Sequence, residues 1–263
     1  MTNVERVGAD LESSLNQEYF EIIVQREQGG AIPPATVAIS LYNYKDYIIP
    51  CLESVKTQTI PNLDLIVVDD YSTDGSLDVA HDWLATYGDR FSRCLLIRHR
   101  SNRGLASTRN TAFPNARTGY VFVLDADNLL YPRCLERLVS ALEHCSASFA
   151  YCYLEKFGDV RCLQNTNPWN PATLQQDNTI DAMVLHRKSE WEKAGGYATD
   201  MPVMGWEDFE LWFKIARTNG WGILVPEILG RYRTHPSSML NTITNPNAGK
   251  LWAYLRSKYP EFF

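Results

Sequence analysis

The chain alternates short, unbroken apolar runs with longer stretches in which apolar residues return every three to four positions. Thr36–Leu41, Leu63–Asp69, Cys94–Arg98 and Tyr120–Leu124 are rich in Val, Ile and Leu. They lack the in/out alternation of half-exposed strands, which predicts strands buried on both faces. Between them the helical spacing predicts helices over Asp46–Thr57, Asp74–Thr86 and Leu105–Phe113, the last stopped by Pro114. This strand–helix rhythm predicts a mainly parallel, doubly wound α/β sheet, in which ligands sit beyond the carboxyl ends of the strands.

The pattern is looser on either side. Leu11, Leu15, Tyr19, Phe20, Ile22 and Ile23 lie close to helical spacing and predict an amphipathic helix over Leu11–Glu27, broken by Gly29, Gly30 and Pro33-Pro34. Downstream, a helix is expected at Pro132–Glu143, strands near Ser148–Glu155 and Thr179–Leu185, and a helix at Glu207–Thr218. Lys156–Asn178 shows no periodicity and reads as a loop over the site. The organisation that follows is an N-terminal helix and linker at 1–34, one domain at 35–240, and a helical extension at 241–263.

Composition narrows the function classes. With 263 residues, 45% hydrophobic and 21% charged, the chain can bury a large core. A net charge of −6 argues against nucleic-acid binding through phosphate neutralisation. No apolar run reaches the length of a membrane-spanning helix, and the first ten residues do not read as a secretory signal, so a cytoplasmic protein is expected. Cys51, Cys94, Cys134, Cys145, Cys152 and Cys162 form no C-x-x-C pair and read as reduced thiols.

Three of the strands run into polar groups: Ser40-Leu41 into Tyr42-Asn43, Val68 into Asp69-Asp70, and Leu124 into Asp125-Ala126-Asp127. In a parallel sheet these ends converge, and carboxylates brought together repel unless a cation or hydrogen-bond donors compensate them. Asp125 and Asp127 are alternate residues after a strand and can turn to one side, where Mg²⁺ or Mn²⁺ takes one or two carboxylates and completes its shell with substrate phosphates. A D-x-D alone is a weak signal; its place after the fourth strand strengthens it.

At this point the chain resembles family 2 glycosyltransferases of the GT-A fold. The likeness rests on T-V-A-I-S-L-Y-N-Y at 36–44, L-I-V-V-D-D-Y-S-T-D-G-S at 65–76, N-R-G-L-A-S-T-R-N at 102–110 and V-L-D-A-D-N at 123–128, in order and spacing. G-G-Y at 195–197, W-E-D at 206–208 and Y-R-T-H-P-S-S-M at 232–239 extend it. The resemblance implies inverting, non-processive transfer of a sugar from a nucleotide-sugar donor, UDP-linked by preference, to a hydroxyl of a glycan or glycolipid. A glycolipid acceptor would bring the chain to the inner face of the membrane. Mn²⁺ or Mg²⁺ is the implied cofactor.

The same resemblance assigns roles. Ser40, Leu41, Tyr42, Asn43 and Asp70 would hold base and ribose, with Asp69 structural. Arg109 would face the base or diphosphate, Asp125 and Ala126 the donor, and Asp127, Asp125 and His235 the metal. Asp208 would be the general base, with Trp206 and Glu207 on the acceptor side; read locally, Glu207-Asp208 is also an acidic start to a helix. Residues His235 to Met239 would fold over the donor as a lid. Ser40, Tyr71 and Asn128 depart from the family's usual proline, glycine and aspartate. The chain lacks Q-x-x-R-W, against a processive synthase. A nucleotidyltransferase would carry a Gly-rich loop where S-L-Y-N-Y stands, a non-catalytic module would be expected to lose Asp127 or Asp208, and a dinucleotide dehydrogenase would need G-x-G-x-x-G.

Overall fold

A computed structural model describes residues 19–263. Its framework, among these residues, is a ten-stranded mixed sheet. The strands are β1 (Phe20–Glu27), β2 (Ala35–Leu41), β3 (Asp64–Asp69), β4 (Arg93–His99), β5 (Tyr120–Asp125), β6 (Leu129–Leu130), β7 (Phe149–Gly158), β8 (Leu163–Gln164), β9 (Leu185–Arg187) and β10 (Gly222–Thr234). They lie in the order β1-β4-β3-β2-β5-β9-β7-β10-β6, with β8 on β7. The block β4-β3-β2-β5 is parallel throughout, and β7 and β10 are parallel to each other. β1, β6, β8 and β9 pair antiparallel.

Seven α-helices follow among the described residues: α1 (Lys45–Lys56), α2 (Ser76–Tyr87), α3 (Leu105–Asn115), α4 (Cys134–Glu143), α5 (Lys188–Lys193), α6 (Glu207–Arg217) and α7 (Ala248–Lys258). Successive residues of each central strand point to opposite faces, and both faces are covered. Val37, Ile39, Leu65 and Val67 join one core with Leu52 of α1, Leu84 of α2 and Leu138 of α4. Ala38, Ile66 and Val68 join the other with Phe113 of α3, Trp212 of α6 and Leu255 of α7. Double-sided burial is why these strands lack alternation.

The chain reverses direction at β2. It moves outward through β3 and β4, then returns to place β5 on the other side of β2, with Ser40 opposite Asp125. That reversal opens a crevice at the carboxyl ends of β2 and β5. Immediately after Asp125 the chain crosses away, and β6 pairs with Gly230 and Arg231 of β10. The Asp125–Asn128 turn therefore joins the two halves of the sheet.

The expected N-terminal helix is corrected over its second half. Phe20–Glu27 is an edge strand paired with β4 from Phe20↔His99 to Glu27↔Arg93. Phe20, Val24 and Arg26 turn inward at strand spacing, and β-branched Ile22, Ile23 and Val24 suit a strand. Residues 11–18 lie outside the described part. Helix α3 carries Pro114 in its last turn and ends at Asn115. The strand expected at Thr179–Leu185 is confined to Leu185–Arg187, because Asp181 Oδ1 accepts the Met183 N–H at 2.9 Å and bends the chain before it. Within 156–178, β7 continues to Gly158 and turns into β8, and a short 3₁₀ turn occupies Pro171–Thr173.

All six cysteines are free. No helix among the described residues is long and apolar enough to cross a membrane. The C-terminal helix packs into the second core through Leu255, and Tyr259 just beyond its end stacks on Phe213 at 5.2 Å.

Candidate active site

A cavity of about 600 Å³ fills the crevice at the strand ends. Ser40, Leu41, Tyr42, Asn43 and Asp70 form one wall, and Asp125, Asp127 and Asn128 the floor. Tyr232, Arg233, His235 and Ser237–Leu240 close it from the side of β10. The segment expected as a lid thus lines the cavity. It is folded back on itself by Ser238 N–H to His235 O at 3.2 Å and by Asn241 Nδ2 to His235 O at 2.9 Å.

Asp70 ends its strand in a web of donors. Its Oδ1 lies 2.6 Å from His99 Nδ1 and accepts the Arg103 N–H at 2.8 Å; Oδ2 accepts the Gly104 N–H at 2.7 Å. His99 is buried and reaches Thr111 Oγ1 at 2.8 Å through its other nitrogen. Gly104 has φ +84, a conformation that favours glycine, and it leads straight into α3. Asp70 therefore fixes the 102–104 loop while still lining the cavity. Asp69 is fully buried, and its Oδ2 accepts the Ser72 N–H at 3.1 Å; burial raises its pKa.

The Asp125–Asp127 turn has far fewer donors. Asp125 Oδ1 receives Arg109 Nη2 at 2.9 Å. Asp127 Oδ2 faces His235 Nε2 at 3.3 Å, and burial together with the Asp125 carboxylate pushes Asp127 up to about 7. Burial and the Arg233 charge lower the pKa of His235. This spacing is that of a hydrogen bond from a protonated Nε2 or carboxyl, and it leaves room for a cation to take the place of the proton. Among the described residues no cluster of three or more His, Cys, Asp or Glu side chains is arranged to hold a metal ion. The pair still fits a hard cation that draws the rest of its shell from phosphate oxygens. Asn128, where the family usually has an acid, is buried and accepts the Arg233 N–H at 2.8 Å, while Arg233 Nε binds Asp127 O at 2.9 Å. These two bonds tie the turn to β10.

Arg109 is turned away from the cavity. Its buried guanidinium bridges Asp125 and Glu207, the latter at 2.7 Å, and lies over the Tyr197 ring at 5.4 Å. Burial alone would lower its pKa, and the Asp125 and Glu207 carboxylates outweigh that and raise it. The expectation that Arg109 faces the base or diphosphate gives way to this bridge. Glu207, expected on the acceptor side, is 5% exposed and is the bridge's other end. Trp206 packs edge-on to Phe209 and Trp252 with ring centroids 5.5 and 5.1 Å apart, in a φ +62 conformation. Its preceding Gly205 is held at φ +103 against Thr244, whose Oγ1 and Cβ would collide with any side chain there. Ala126 is fully buried in the first core rather than in the cavity. Tyr71 adopts φ +67, which explains why a glycine suits that position, and Arg98 lies over its ring at 5.1 Å.

Asp208 lies in the first turn of α6. Its Oδ1 accepts the Phe209 N–H at 2.7 Å and its Oδ2 accepts Asn178 Nδ2 at 3.2 Å. Burial, Glu207 and Asp181 push it up to about 7. Asp181, which pattern reading passed over, is likewise pushed up to about 7 by burial and by Asp125. Tyr232 joins this group to the cavity it lines: burial and the surrounding charges of Asp181, Asp125, Asp127 and Asp208 raise its phenol. His99, Asn178, Asp181, Tyr232 and Arg233 are thus the site residues that were not singled out. The acid inside the apolar run T-I-D-A-M-V-L was the available signal for Asp181.

Known proteins resemble this chain in sequence and in fold. Residues 36–190 match the model of the family described as glycosyl transferase family 2. EpsE of Bacillus subtilis, a glycosyltransferase by name, is 27% identical over 76% of this chain and 73% of its own. WfaP of Escherichia coli, a UDP-Glc:alpha-D-GlcNAc-diphosphoundecaprenol beta-1,3-glucosyltransferase, is 27% identical over 68% of this chain and 69% of its own. Among solved structures, residues 1–349 of TarS from S. aureus in complex with UDP-GlcNAc superpose with a TM-score of 0.67 at 16% identity, over 79% of this chain and 60% of that one. The mannosyltransferase PcManGT of Pyrobaculum calidifontis, in complex with GDP-Man and Mn²⁺, gives 0.60 at 21% identity, over 84% of this chain and 62% of that one. These two share the fold.

Proposed function

This chain belongs to glycosyltransferase family 2 and is an enzyme of the GT-A fold; we propose that it transfers a sugar, with inversion, from a UDP-sugar to a hydroxyl of a glycan or glycolipid. The observation that carries the reading is the Asp125–Asp127 pair on the β5 turn in the floor of the cavity, lined beside it by Tyr232, whose phenol is raised by burial and by the charges of these acids and of Asp208 on α6. The relatives' names support the donor class: UDP-GlcNAc is bound by TarS, and UDP-Glc and a diphosphoundecaprenol acceptor stand in the name of WfaP.

The base and ribose would lie between Tyr42 and Asp70, and the diphosphate over the Asp125–Asp127 turn. The cation would be held by Asp127 and His235, with Asp125 beside them. When bound, Mn²⁺ or Mg²⁺ supplies positive charge for the departing diphosphate. Asp208 takes the proton of the acceptor hydroxyl as that oxygen forms its bond to the anomeric carbon and the bond to the diphosphate breaks on the opposite side. A carboxylate raised to about 7 is matched to that proton transfer near neutral pH. Arg109 keeps Asp125 and Glu207 in place from behind, so its charge shapes the floor without touching substrate.

Calorimetric titration with UDP and GDP, with Mn²⁺ and in chelator, tests the reading. UDP binding that strengthens with Mn²⁺ and weakens in Asp127→Ala is expected; equal binding with and without Mn²⁺ would exclude the metal role.

A further inference from the structure

The start of α6, which carries Asp208, is entered through two consecutive left-handed residues. Gly205 stands at φ +103 and Trp206, the residue before the helix, at φ +62. A bulky side chain in that conformation is strained and persists only where the surroundings over-determine it. Three contacts do so. Arg109 of α3 holds Glu207 at 2.7 Å, and Trp252 of α7 packs edge-on against Trp206 at 5.1 Å. The third comes from Thr244, whose side chain fills the place of a Cβ on Gly205 and whose Oγ1 donates to Met204 O at 3.2 Å.

Thr244 differs from the other two in where its own chain runs. It closes the π-helical turn Leu240–Thr244, and Leu240, Thr242 and Ile243 of that turn line the cavity together with Met204. Single π turns are rare and are frequent at functional sites. Thr244 is 1% exposed and stands behind this wall rather than in it. One side chain thus joins a wall of the donor cavity to the backbone that aims Asp208. The join is close-packed: nothing larger than hydrogen fits at Gly205, so the turn and the Met204–Gly205 backbone move together. A displacement of about 1 Å in a catalytic group can cost about a hundredfold in rate, so a contact at this place bears on the chemistry.

We propose that Thr244 is a positioning residue that couples occupation of the donor cavity to the placement of Asp208. The inference rests on reading the cavity as a nucleotide-sugar site and Asp208 as the base. A ligand in the cavity orders the turn that lines it, and Thr244 passes that order to Met204, Gly205 and the first turn of α6. Thr244→Val keeps the size and branching of the side chain and removes its bond to Met204 O. Thr244→Ser keeps the hydroxyl and removes the methyl group.

Amide hydrogen exchange read by mass spectrometry, in Mn²⁺ with and without UDP or GDP, whichever binds more tightly, follows the turn (236–244) and the α6 start (204–212) separately. Calorimetric titration gives the nucleotide's affinity. In the wild type the nucleotide should slow exchange in both segments, by about fivefold or more at the α6 start. In Thr244→Val the turn should still be protected and the affinity change less than about twofold, while protection of the α6 start falls below about twofold. Thr244→Ser should restore it. A merely structural role would speed exchange at the α6 start with and without nucleotide and leave the nucleotide's effect intact, which would overturn the proposal. So would a wild-type α6 start that the nucleotide does not protect. Loss of nucleotide binding in Thr244→Val would make Thr244 part of the donor site itself and overturn it too. Failure of the wild type to bind either nucleotide, or normal transfer by Asp208→Asn, would instead defeat the reading on which the coupling rests, and the coupling with it.

Discussion

The turns after β3 and β5 occupy equivalent places at the carboxyl edge of one parallel sheet, two strands apart, and both present buried acids to the same cavity. They are finished in opposite ways. Asp70 receives two backbone N–H groups and an imidazole within 2.8 Å, and holds a loop and the start of α3 in place. Asp127 meets one histidine at 3.3 Å, and beyond it Asp181 and Asp208 each receive a single backbone N–H and one side-chain amide at 3.2 Å or longer. The fold satisfies the acid that serves as a strut. It leaves the others with unspent charge, which only a ligand, a cation or a proton can offset.

The sharpest break of that contrast is Asp208→Asn. The amide keeps the size of the carboxylate and can still accept the Phe209 N–H, so the fold and donor binding should be retained. Transfer should fall by about 10² to 10⁴, the usual contribution of a general base. Steady-state transfer assays beside donor titration read both quantities, and normal turnover would move the base elsewhere. In the wild type kcat/KM should rise with pH up to about 7, because Asp208 must be ionised to accept the proton and its burial holds it protonated below that value.

Next in size is Arg109→Met, which removes the cation between Asp125 and Glu207. Breaking a buried ion pair from one side costs about 3–5 kcal/mol, since the abandoned carboxylates stay buried. Urea unfolding should show a loss of that order, and Glu207→Gln a smaller one. A loss within experimental error in Arg109→Met would mean that water already serves these acids. Asp70→Ala should be milder, about 1–3 kcal/mol for donors left in a partly buried loop, with accelerated amide exchange at Arg103 and Gly104. Exchange rates unchanged at those two amides would contradict the strut role.

How much of this was legible follows from the same distinction between local and distant partners. The four parallel strands and their terminal acids could be read because double-sided burial writes a continuous apolar run, and the chemistry falls at its end. β1 could not, since Tyr19, Ile22 and Ile23 satisfy a helical spacing while Phe20 and Val24 satisfy the strand that pairing with β4 selects. Arg109 and Glu207 are 98 residues apart, and nothing local in either says that they meet. Trp206 looked free for a ligand because its packing partner Trp252 belongs to α7, beyond the recognisable motifs. Asp181 was hidden inside a run that reads as an ordinary strand.

The smallest expected effect isolates Asp181 from activity altogether. Its folded-state pKa is raised from the ordinary range near 4 to about 7, by burial first and Asp125 second. Between those values the folded protein binds a proton that the unfolded chain has released, so νU is less than νN and stability falls as pH rises. This contribution is full below about pH 4 and lost as the pH passes through about 7. Asn cannot titrate. The stability of wild type relative to Asp181→Asn, followed by thermal melting at constant ionic strength, should therefore decline across that window and level off above it. A flat difference would mean that Asp181 is already compensated in the free protein, placing it with Asp70 among the struts and erasing the contrast between the two edges of the site.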